Sequence, residues 1–402
     1  MGTSERMIPL DEAFQKVDAS LADVALPTQR VAVRESVGLV LAADQRSCLD
    51  LPPFDKAAMD GYAVLGGDDR SSYRVLETVA AGAVPAQSLQ PGTAVKVMTG
   101  APVPAGAGKV IPIEHVRLHG DAIEVVQRGR EMNISPQGED VRQGDVVLRS
   151  GTRVGPLDAA NLIGCGITHV EAFRAPRLAI LSTGDEITDD PARLGPGKIM
   201  NTNGPMLAGL ARQFRLEVVG EHAFSDDRAA IAAGLRAALD RAEIVVLSGG
   251  VSVGDFDFVT AALGDAGLHV HFTAVAVKPG RPTTYASAPG KVVFGLPGNP
   301  VSVFLMFHLF VLRAVARLTR APVPMRHFPM PLGSAFGRRR AERLEYVPCR
   351  IDQRGTLQPV EFHGSAHLTG LTAADGFFLI PIGVQNAQAG QPVEFMPVKG
   401  WP

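Results

Sequence analysis

A run of alternating strands and helices between Pro176 and Ala321 is the feature that most limits how this chain can fold. Continuous apolar stretches such as "RLAILST" and "EIVVLSGG" alternate with segments of helical periodicity such as "GPMLAGLARQF". Strands that are apolar throughout are usually buried on both faces, as in a parallel sheet covered by helices. The pattern therefore predicts a central, doubly wound, mostly parallel α/β domain, which we place at residues 176–324.

The flanking regions lack this alternation. The chain opens with a helical pattern (Leu10 to Leu21), continues as short apolar runs between turn signals, and reaches the central domain through "LDAANLIGCGITHVEAF". We expect an N-terminal α+β linker domain at residues 1–47 and 136–175, interrupted by an inserted β domain at residues 48–135. The tail returns to short strands and predicts a small, β-barrel-like C-terminal domain at residues 325–402.

Composition excludes several classes of protein. With 402 residues, 46% hydrophobic and 20% charged, the chain has material for several ordinary globular cores. A net charge of -2 argues against a nucleic-acid partner. The widely spaced Cys48, Cys165 and Cys349 fit neither a disulfide framework nor a zinc site. The N-terminus lacks a secretion pattern, and "VSVFLMFHLFVL", which contains His308, is too short for a membrane span. We expect a cytoplasmic protein with no membrane partner.

Three strands of the central domain end in loops of small residues, where open α/β sheets bind ligands. The loops are "STGDE", "SGGVSVGD" and "GLPGNP". Small residues let backbone N–H groups approach an anion, although one such loop could equally serve a tight strand-to-helix turn. None of them matches the Walker or the dinucleotide fingerprint. The predicted substrate-binding residues are Ser182, Thr183, Gly184, Ser248, Gly249, Gly250, Pro297, Gly298, Asn299 and Pro300.

Carboxylates accompany these loops. Glu186, Asp255 and Asp257 follow loop segments, whereas Asp226 and Asp227 open a helix. Acids beside a phosphate-binding loop suit Mg²⁺, which usually takes one or two carboxylates together with substrate oxygens and water. The alternatives are solvated loop charges for the first group and compensation of the helix dipole for the second. For that helix the expected N-cap is Ser225.

The segment "VKPGRP" places Lys278 and Arg281 on a turn stiffened by proline. Two cations fixed near the acids would suit a phosphate or another oxyanion. Surface ion pairs are the alternative explanation.

The motifs "STGDE", "SGGVSVGDFDF", "VKPGRPTTYA" and "GLPGNPVSVF" closely resemble those of the molybdopterin molybdenumtransferases, the bacterial MoeA type and the gephyrin E domain. The segments "LPPFDKAAMDGYAV", "VMTGAPVPAGA", "ISPQGEDVRQGDVVLRSGTRV" and "HGSAHLTGL" extend the resemblance in collinear order over nearly the whole chain.

This resemblance implies an enzyme that inserts molybdate into adenylylated molybdopterin, forms the molybdenum cofactor and releases AMP with the help of Mg²⁺. It implies a homodimer whose cleft lies between the central, molybdopterin-binding domain of one subunit and the N-terminal region of the other. The N-terminal linker domain would then also serve dimerisation. Transient contacts with the molybdopterin adenylyltransferase and with recipient molybdoenzymes are expected.

The resemblance also implies roles for individual residues. The catalytic set is Asp60, Thr99, Asp140, Glu186, Asp227 and Asp257, and the metal ligands are Glu186, Asp226 and Asp257. The molybdate-binding set is Lys278, Arg281, Pro282, Arg343 and Ser365. In "RLEYVPCR", Pro348 stands where the family often has a second arginine, so Arg343 is the first choice for the oxyanion and Arg350 the reserve.

Two other functions are compatible with parts of the chain. The related adenylyltransferase has a single domain resembling residues 176–321, but it lacks the flanking regions present here. A scaffold that only binds the cofactor or a partner protein is the second alternative, against which stand the intact cleft residues and the absence of a long linker.

Overall fold

The computed structural model of the protein describes residues 7–224, 227–249 and 256–399, with only the backbone described for residues 256–258. It confirms the predicted fold class: a mostly parallel α/β domain lies between an N-terminal mixed region with an inserted β unit and a C-terminal β region.

The part of the chain before the central domain forms short helices and strands. Helix α1 spans Leu10–Ser20, helix α2 spans Pro156–Gly164, and 3₁₀ turns occur at Val33–Glu35 and Ile113–His115. The strands are β1 (Thr28–Ala32), β2 (Val40–Leu41), β3 (Gln45–Arg46), β4 (Lys56–Ala57), β5 (Gly61–Leu65), β6 (Ser72–Val79), β7 (Thr93–Val97), β8 (Ala107–Pro112), β9 (Val116–His119), β10 (Ala122–Val125), β11 (Ile134–Ser135), β12 (Val146–Leu148) and β13 (His169–Phe173).

The inserted unit is a six-stranded sheet in the order β8-β5-β7-β6-β10-β9. Alternate side chains of a strand point to opposite faces, so Ala63 packs into one core while its neighbours Tyr62 and Val64 pack into another. Strands β5 and β7 are antiparallel, with Gly61 opposite Val97. The residues just before β5 and just after β7 therefore lie at the same edge of the sheet.

The central region contains helices α3 (Asn203–Gln213), α4 (Arg228–Arg241) and α5 (Phe256–Asp265) and a 3₁₀ turn at Pro191–Arg193. Its strands are β14 (Arg177–Thr183), β15 (Ile187–Thr188), β16 (Ile199–Met200), β17 (Glu217–Phe224), β18 (Ile244–Ser248), β19 (His269–Phe272), β20 (Val277–Lys278), β21 (Thr284–Ala288) and β22 (Lys291–Leu296).

The central sheet has the order β17-β14-β18-β22-β21-β19. Strands β17, β14, β18 and β22 are parallel neighbours, as predicted, and β21 and β19 add antiparallel pairings that the apolar pattern had not indicated. Strand β18 is buried at every residue and packs between two layers of apolar side chains. This double burial explains why it is apolar throughout.

Helix α4 begins differently from the expectation. Asp227 is its N-cap, and the Oδ1 of this residue accepts a 2.7 Å hydrogen bond from the backbone N–H of Ala230. The prediction that Ser225 caps this helix is wrong, because the aspartate two positions later reaches the free N–H of the first turn. Ser225 itself lies outside the described residues.

The apolar segment after β22 forms part of a buried helix of 19 residues, which is longer than the segment that the sequence marks as too short for a membrane span. It runs through α6 (Pro300–Met306), a π-helical turn at Phe307–Val311 and α7 (Leu312–Leu318). Among the described residues it alone is long and apolar enough to cross a membrane, yet 83% of its most apolar window is buried inside the protein. Side chains of α1 pack on it: Arg313 pairs with Asp18 and lies over the ring of Phe14.

The C-terminal region contains α8 (Leu368–Thr372) and the strands β23 (Phe328–Pro331), β24 (Phe336–Gly337), β25 (Leu344–Ile351), β26 (Leu357–Pro359), β27 (Gly376–Ile380), β28 (Asn386–Ala387) and β29 (Pro392–Pro397). Its main sheet has the order β20-β25-β27-β29-β23, with β26 pairing on β25. Strand β20 comes from the central region of the sequence, so this sheet ties the two regions together.

Candidate functional site

Strands β14, β18 and β22 end side by side, so the three loops that follow them start from one end of the central sheet. Ser182 pairs with Ser248, and Ser248 pairs with Leu296, so the strands end at the same level. Gly249 has a φ of +93°, and a Cβ placed on it would collide with the carbonyl of Thr183. Only glycine fits this position, where the backbones pack directly against each other.

Polar side chains from three segments of the chain are buried at this sheet end. Thr183 Oγ1, Ser248 Oγ and Asn203 Oδ1 have no hydrogen-bond partner within the described part of the chain. The Nδ2 of Asn203 donates a 2.7 Å hydrogen bond to the carbonyl of Gly298 and so holds the third loop in place. Because buried polar atoms are normally paired, these atoms favour a ligand with its own hydrogen-bonding groups.

Glu186 lies directly over the first loop. A Cβ on Gly184, whose φ is +140°, would come within 2.6 Å of a carboxylate oxygen of Glu186. The carbonyl of Glu186 accepts a 2.8 Å hydrogen bond from the N–H of Ile199, which pins the start of β15 to β16. An exposed carboxylate is thus held close to Gly184 at the sheet end.

The structure describes the positions of the other predicted acids less fully. Asp227 uses one oxygen as the cap of α4, whereas the structural role that the sequence left open for it was compensation of the helix dipole. Asp257 falls in the first turn of α5, but its side chain lies outside the described residues, as do Gly250 and Asp226. Among the described residues no group of three or more His, Cys, Asp or Glu side chains could hold a metal ion. The predicted metal ligands therefore stay a prediction.

A cleft of about 640 Å³ lies beside the sheet end, between the central and C-terminal regions. All of the residues predicted to bind molybdate line it, namely Lys278, Arg281, Pro282, Arg343 and Ser365. Pro297 and Asn299, from the loop after β22, line it as well. Residues from three distant parts of the sequence are therefore brought together around one cationic cleft.

Lys278 reaches the cleft through the C-terminal sheet. Strand β20 pairs in parallel with β25, which sets Lys278 beside Glu345. The Nζ of Lys278 lies 2.6 Å from one oxygen of Glu345, and an Nη1 of Arg338 lies 3.2 Å from the other. Glu345, the one carboxylate among the described lining residues, is itself buried. It orients Lys278 and balances part of the positive charge.

A buried threonine fixes the turn that carries Lys278 and Arg281. The Oγ1 of Thr283 donates a 2.7 Å hydrogen bond to the carbonyl of Gly280, and the side chain is fully buried. The carbonyl of Arg281 accepts backbone hydrogen bonds from Val275 and from Thr283, at 2.9 and 2.8 Å. The turn is therefore held from inside, with both cations at its surface.

Arg343 and Arg281 lie close enough to repel each other. Burial lowers the pKa of the half-buried Arg343, and the charge of Arg281 lowers it further. An anion placed between two guanidinium groups would relieve this repulsion, so the pair favours anion binding. Arg350, the reserve candidate, is exposed and is not among the residues lining the cleft.

The loop after β22 connects the cleft to the sheet end. The Nδ2 of Asn299 donates a 2.8 Å hydrogen bond to Ser365 Oγ, and the N–H of Val301 donates to the carbonyl of Ser365 at 3.1 Å. One residue earlier, Gly298 packs close to Gly249: a Cβ placed on Gly298 would lie 3.6 Å from the Cα of Gly249. Gly298 therefore contacts the sheet end, and its neighbour Asn299 contacts the cleft.

Asp60 and Thr99 form a pair of their own. The Oδ1 of Asp60 accepts 2.7 Å hydrogen bonds from both the N–H and the Oγ1 of Thr99, which lower the pKa of Asp60. Asp140 is exposed, and its N–H donates to the carbonyl of Leu51. The described lining of the cleft includes none of Asp60, Thr99 and Asp140, so one chain does not bring the two sets together.

Sequence reasoning missed several residues of the site. Asn203, Thr283, Arg338 and Glu345 act through contacts across the fold, and each looks ordinary in its own segment. The available signals were their positions, since Asn203 opens a helix after the first loop and Thr283 directly follows "VKPGRP".

Three family models match successive parts of the chain. Residues 8–166 match the "MoeA N-terminal region (domain I and II)", residues 179–317 the "Probable molybdopterin binding domain" and residues 334–398 the "MoeA C-terminal region (domain IV)".

Whole-chain relatives agree with these matches. The chain is 32% identical to the molybdopterin molybdenumtransferase of Staphylococcus aureus strain Mu50, covering 97% of this chain and 95% of that protein. It is 32% identical to the same-named protein of Staphylococcus epidermidis strain RP62A, covering 90% and 88%. The crystal structure of the molybdopterin biosynthesis MoeA protein from Pyrococcus horikoshii OT3 superposes with a TM-score of 0.84 at 33% identity, covering 98% of this chain and 100% of that one. The chain therefore belongs to the molybdopterin molybdenumtransferase (MoeA) family.

Proposed function

We propose that this protein is a molybdopterin molybdenumtransferase, which inserts molybdate into adenylylated molybdopterin and releases AMP. Membership of the MoeA family gives it a role in molybdenum cofactor biosynthesis. The observation that carries the proposal is the cationic cleft, which gathers Lys278, Arg281, Arg343 and Ser365 from distant segments beside a sheet end suited to phosphate.

The two substrates would bind at adjoining places. The sheet-end loops, with the buried hydroxyls of Thr183 and Ser248, would hold the molybdopterin nucleotide, while the arginines of the cleft would hold molybdate. The loop containing Gly298 and Asn299 touches both places and would fix the distance between them. Holding two reactants in one geometry removes much of the entropic cost of their encounter.

Mg²⁺ is part of the proposal. Glu186 lies over Gly184 at the sheet end, and an exposed carboxylate there fits a hard cation that also binds phosphate oxygens. Glu186, Asp226 and Asp257 would hold the ion, which would neutralise negative charge on the phosphoanhydride of the substrate. Asp227 is the remaining carboxylate proposed for catalysis near the central sheet.

A homodimer would complete the site. The Asp60–Thr99 pair and Asp140 do not line the cleft of their own chain, so we propose that the second subunit supplies them. The molybdopterin adenylyltransferase and recipient molybdoenzymes would be transient partners, and the cytoplasm the place of action. The domain boundaries given above are also part of the proposal.

The deciding experiment measures AMP release from adenylylated molybdopterin in the presence of Mg²⁺, with and without molybdate. We expect release that depends on molybdate and yields molybdenum bound to the dithiolene. Asp257→Asn should lose this release while keeping the melting temperature of the wild type, whereas Asp265→Asn, a substitution at the far end of the same helix, should keep both.

The same assay, together with a parallel one that starts from molybdopterin and ATP, separates the alternatives. Formation of adenylylated molybdopterin from ATP would assign the chain to the adenylyltransferases, and binding of the substrate without turnover would assign it to the scaffolds. A molybdate-independent rate equal to the molybdate-dependent one would contradict the proposal directly.

A further inference from the structure

His308 lies deep in the apolar core, within the long buried helix, and none of the roles proposed above uses it. Its side chain is 5% exposed, and the rings of Phe214, Phe304 and Phe307 surround it. It belongs to the π-helical turn Phe307–Val311. Such turns are rare and frequently occur at functional sites.

The hydrogen bonding of His308 fixes the state of its ring. Nδ1 lies 2.8 Å from the carbonyl oxygen of Phe304, which can only accept, so Nδ1 carries the proton and Nε2 presents a lone pair. Burial lowers the pKa of His308 to about 4, so the ring is neutral at pH 7. Within the described residues Nε2 makes no hydrogen bond, and it is not one of the fully buried unpaired atoms, so its lone pair is accessible to a ligand.

The His308 ring forms part of the wall of a cavity of about 180 Å³. The cavity lies where the buried helix meets the segment after α7 and the end of strand β29. Its other walls include Phe214, Leu312 and Met396, and Arg326 is the charged residue among the described lining. A dry cavity of about 150 Å³ is large enough to bind benzene, so this one can hold a single small ring.

We propose that this cavity binds an uncharged ring compound of about the size of phenol or indole, with one O–H or N–H group that donates to Nε2 of His308. The apolar walls would take the ring, and the histidine would select compounds that carry a donor. Among the described residues the cavity and the cationic cleft share no lining residue. The inference therefore does not depend on the proposed enzymatic function.

The test is a binding titration of the full chain with matched probes, followed by calorimetry or ligand-observed NMR. Phenol and indole carry the donor, whereas toluene and indene have nearly the same shapes without it. The affinity ratios of phenol to toluene and of indole to indene should both fall roughly tenfold in His308→Phe, the usual effect of losing one buried hydrogen bond.

A second variant guards against a simple folding defect of the first. Met325→Trp fills the cavity from a half-buried position and leaves the histidine in place. It should abolish binding of all four probes without lowering the melting temperature. The inference is overturned if no probe binds the wild type, if Met325→Trp still binds them, or if His308→Phe leaves both ratios unchanged.

Discussion

The Nδ2 of Asn299 donates a hydrogen bond to the Oγ of Ser365 across 66 positions of sequence. Asn299 follows the last parallel strand of the central sheet, and Ser365 comes from the C-terminal region. Both residues line the cationic cleft. The contact therefore closes one side of the cleft with groups from two regions. A substitution that breaks it from either side should weaken anion binding.

Ser365→Ala should raise the molybdate concentration needed for half-maximal AMP release, by roughly three- to tenfold, because it removes a hydroxyl from the cleft and leaves the amide of Asn299 without its partner. The rate at saturating molybdate should change much less. Ser88→Ala, at an exposed position of the inserted unit, is the matched control. Equal effects of the two substitutions would remove Ser365 from the site.

Arg343→Gln should weaken molybdate binding by roughly tenfold or more, because a charge-assisted contact to the oxyanion is lost. Arg350→Gln should leave molybdate binding at the wild-type level, since that side chain is exposed and is not among the residues lining the cleft. Steady-state rates over a range of molybdate concentrations measure both. The reverse order of effects would show that the reserve arginine is the one that binds the anion.

Thr283→Val should raise the half-saturating molybdate concentration roughly fivefold, with a smaller effect on the maximal rate, because the turn carrying Lys278 and Arg281 loses its internal hydrogen bond. Thr283→Ser keeps the hydroxyl and should restore binding. The neighbouring Thr284 is equally buried, but its Oγ1 has no partner among the described residues, so Thr284→Val should be neutral or stabilising. Identical behaviour of the two valine variants would contradict a positioning role for Thr283.

Glu243→Gln should change how the free energy of unfolding depends on pH. Burial alone would raise the pKa of Glu243, but hydrogen bonds from Arg174 and Arg177 outweigh it and lower the pKa from 4.5 to about 2. A depressed carboxylate pKa stabilises the fold above the unfolded-state value, and this stabilisation is lost as pH falls from about 4.5 to about 2.

The wild type should therefore lose roughly 3 kcal/mol over that interval from this group, and the Gln variant should lose correspondingly less. Denaturant unfolding at pH 6, 4 and 2.5 measures the difference. Glu12→Gln, in an exposed pair with Lys16, is the control and should follow the wild-type profile.

The sequence was most informative where local pattern decides structure. The apolar runs at β14, β18 and β22 predicted parallel strands because burial on both faces leaves no polar positions. The small residues after them predicted close backbone packing, which Gly249 shows. The family resemblance then brought together the cleft residues, and the chain does belong to that family.

Contacts made across the fold could not be predicted in this way. The pairing of Lys278 with Glu345 depends on the short strand β20 joining the C-terminal sheet, and two residues carry too little pattern to indicate that choice. The capping of α4 by Asp227 rather than Ser225 is a competition between side chains that propensity alone does not resolve. Asn203 looks like any polar residue at a helix start until the loop containing Gly298 is placed beside it.

Strand β20 limits how this architecture can change through evolution, because it lies in the central region of the sequence but pairs within the C-terminal sheet. Its pairing with β25 uses backbone groups of the central region to complete the sheet of the C-terminal one. A recombination event that joined the central region of one relative to the tail of another would therefore have to preserve this strand register as well as the linking segment. The anion cleft would be inherited only when both regions are present, because each region contributes part of its lining.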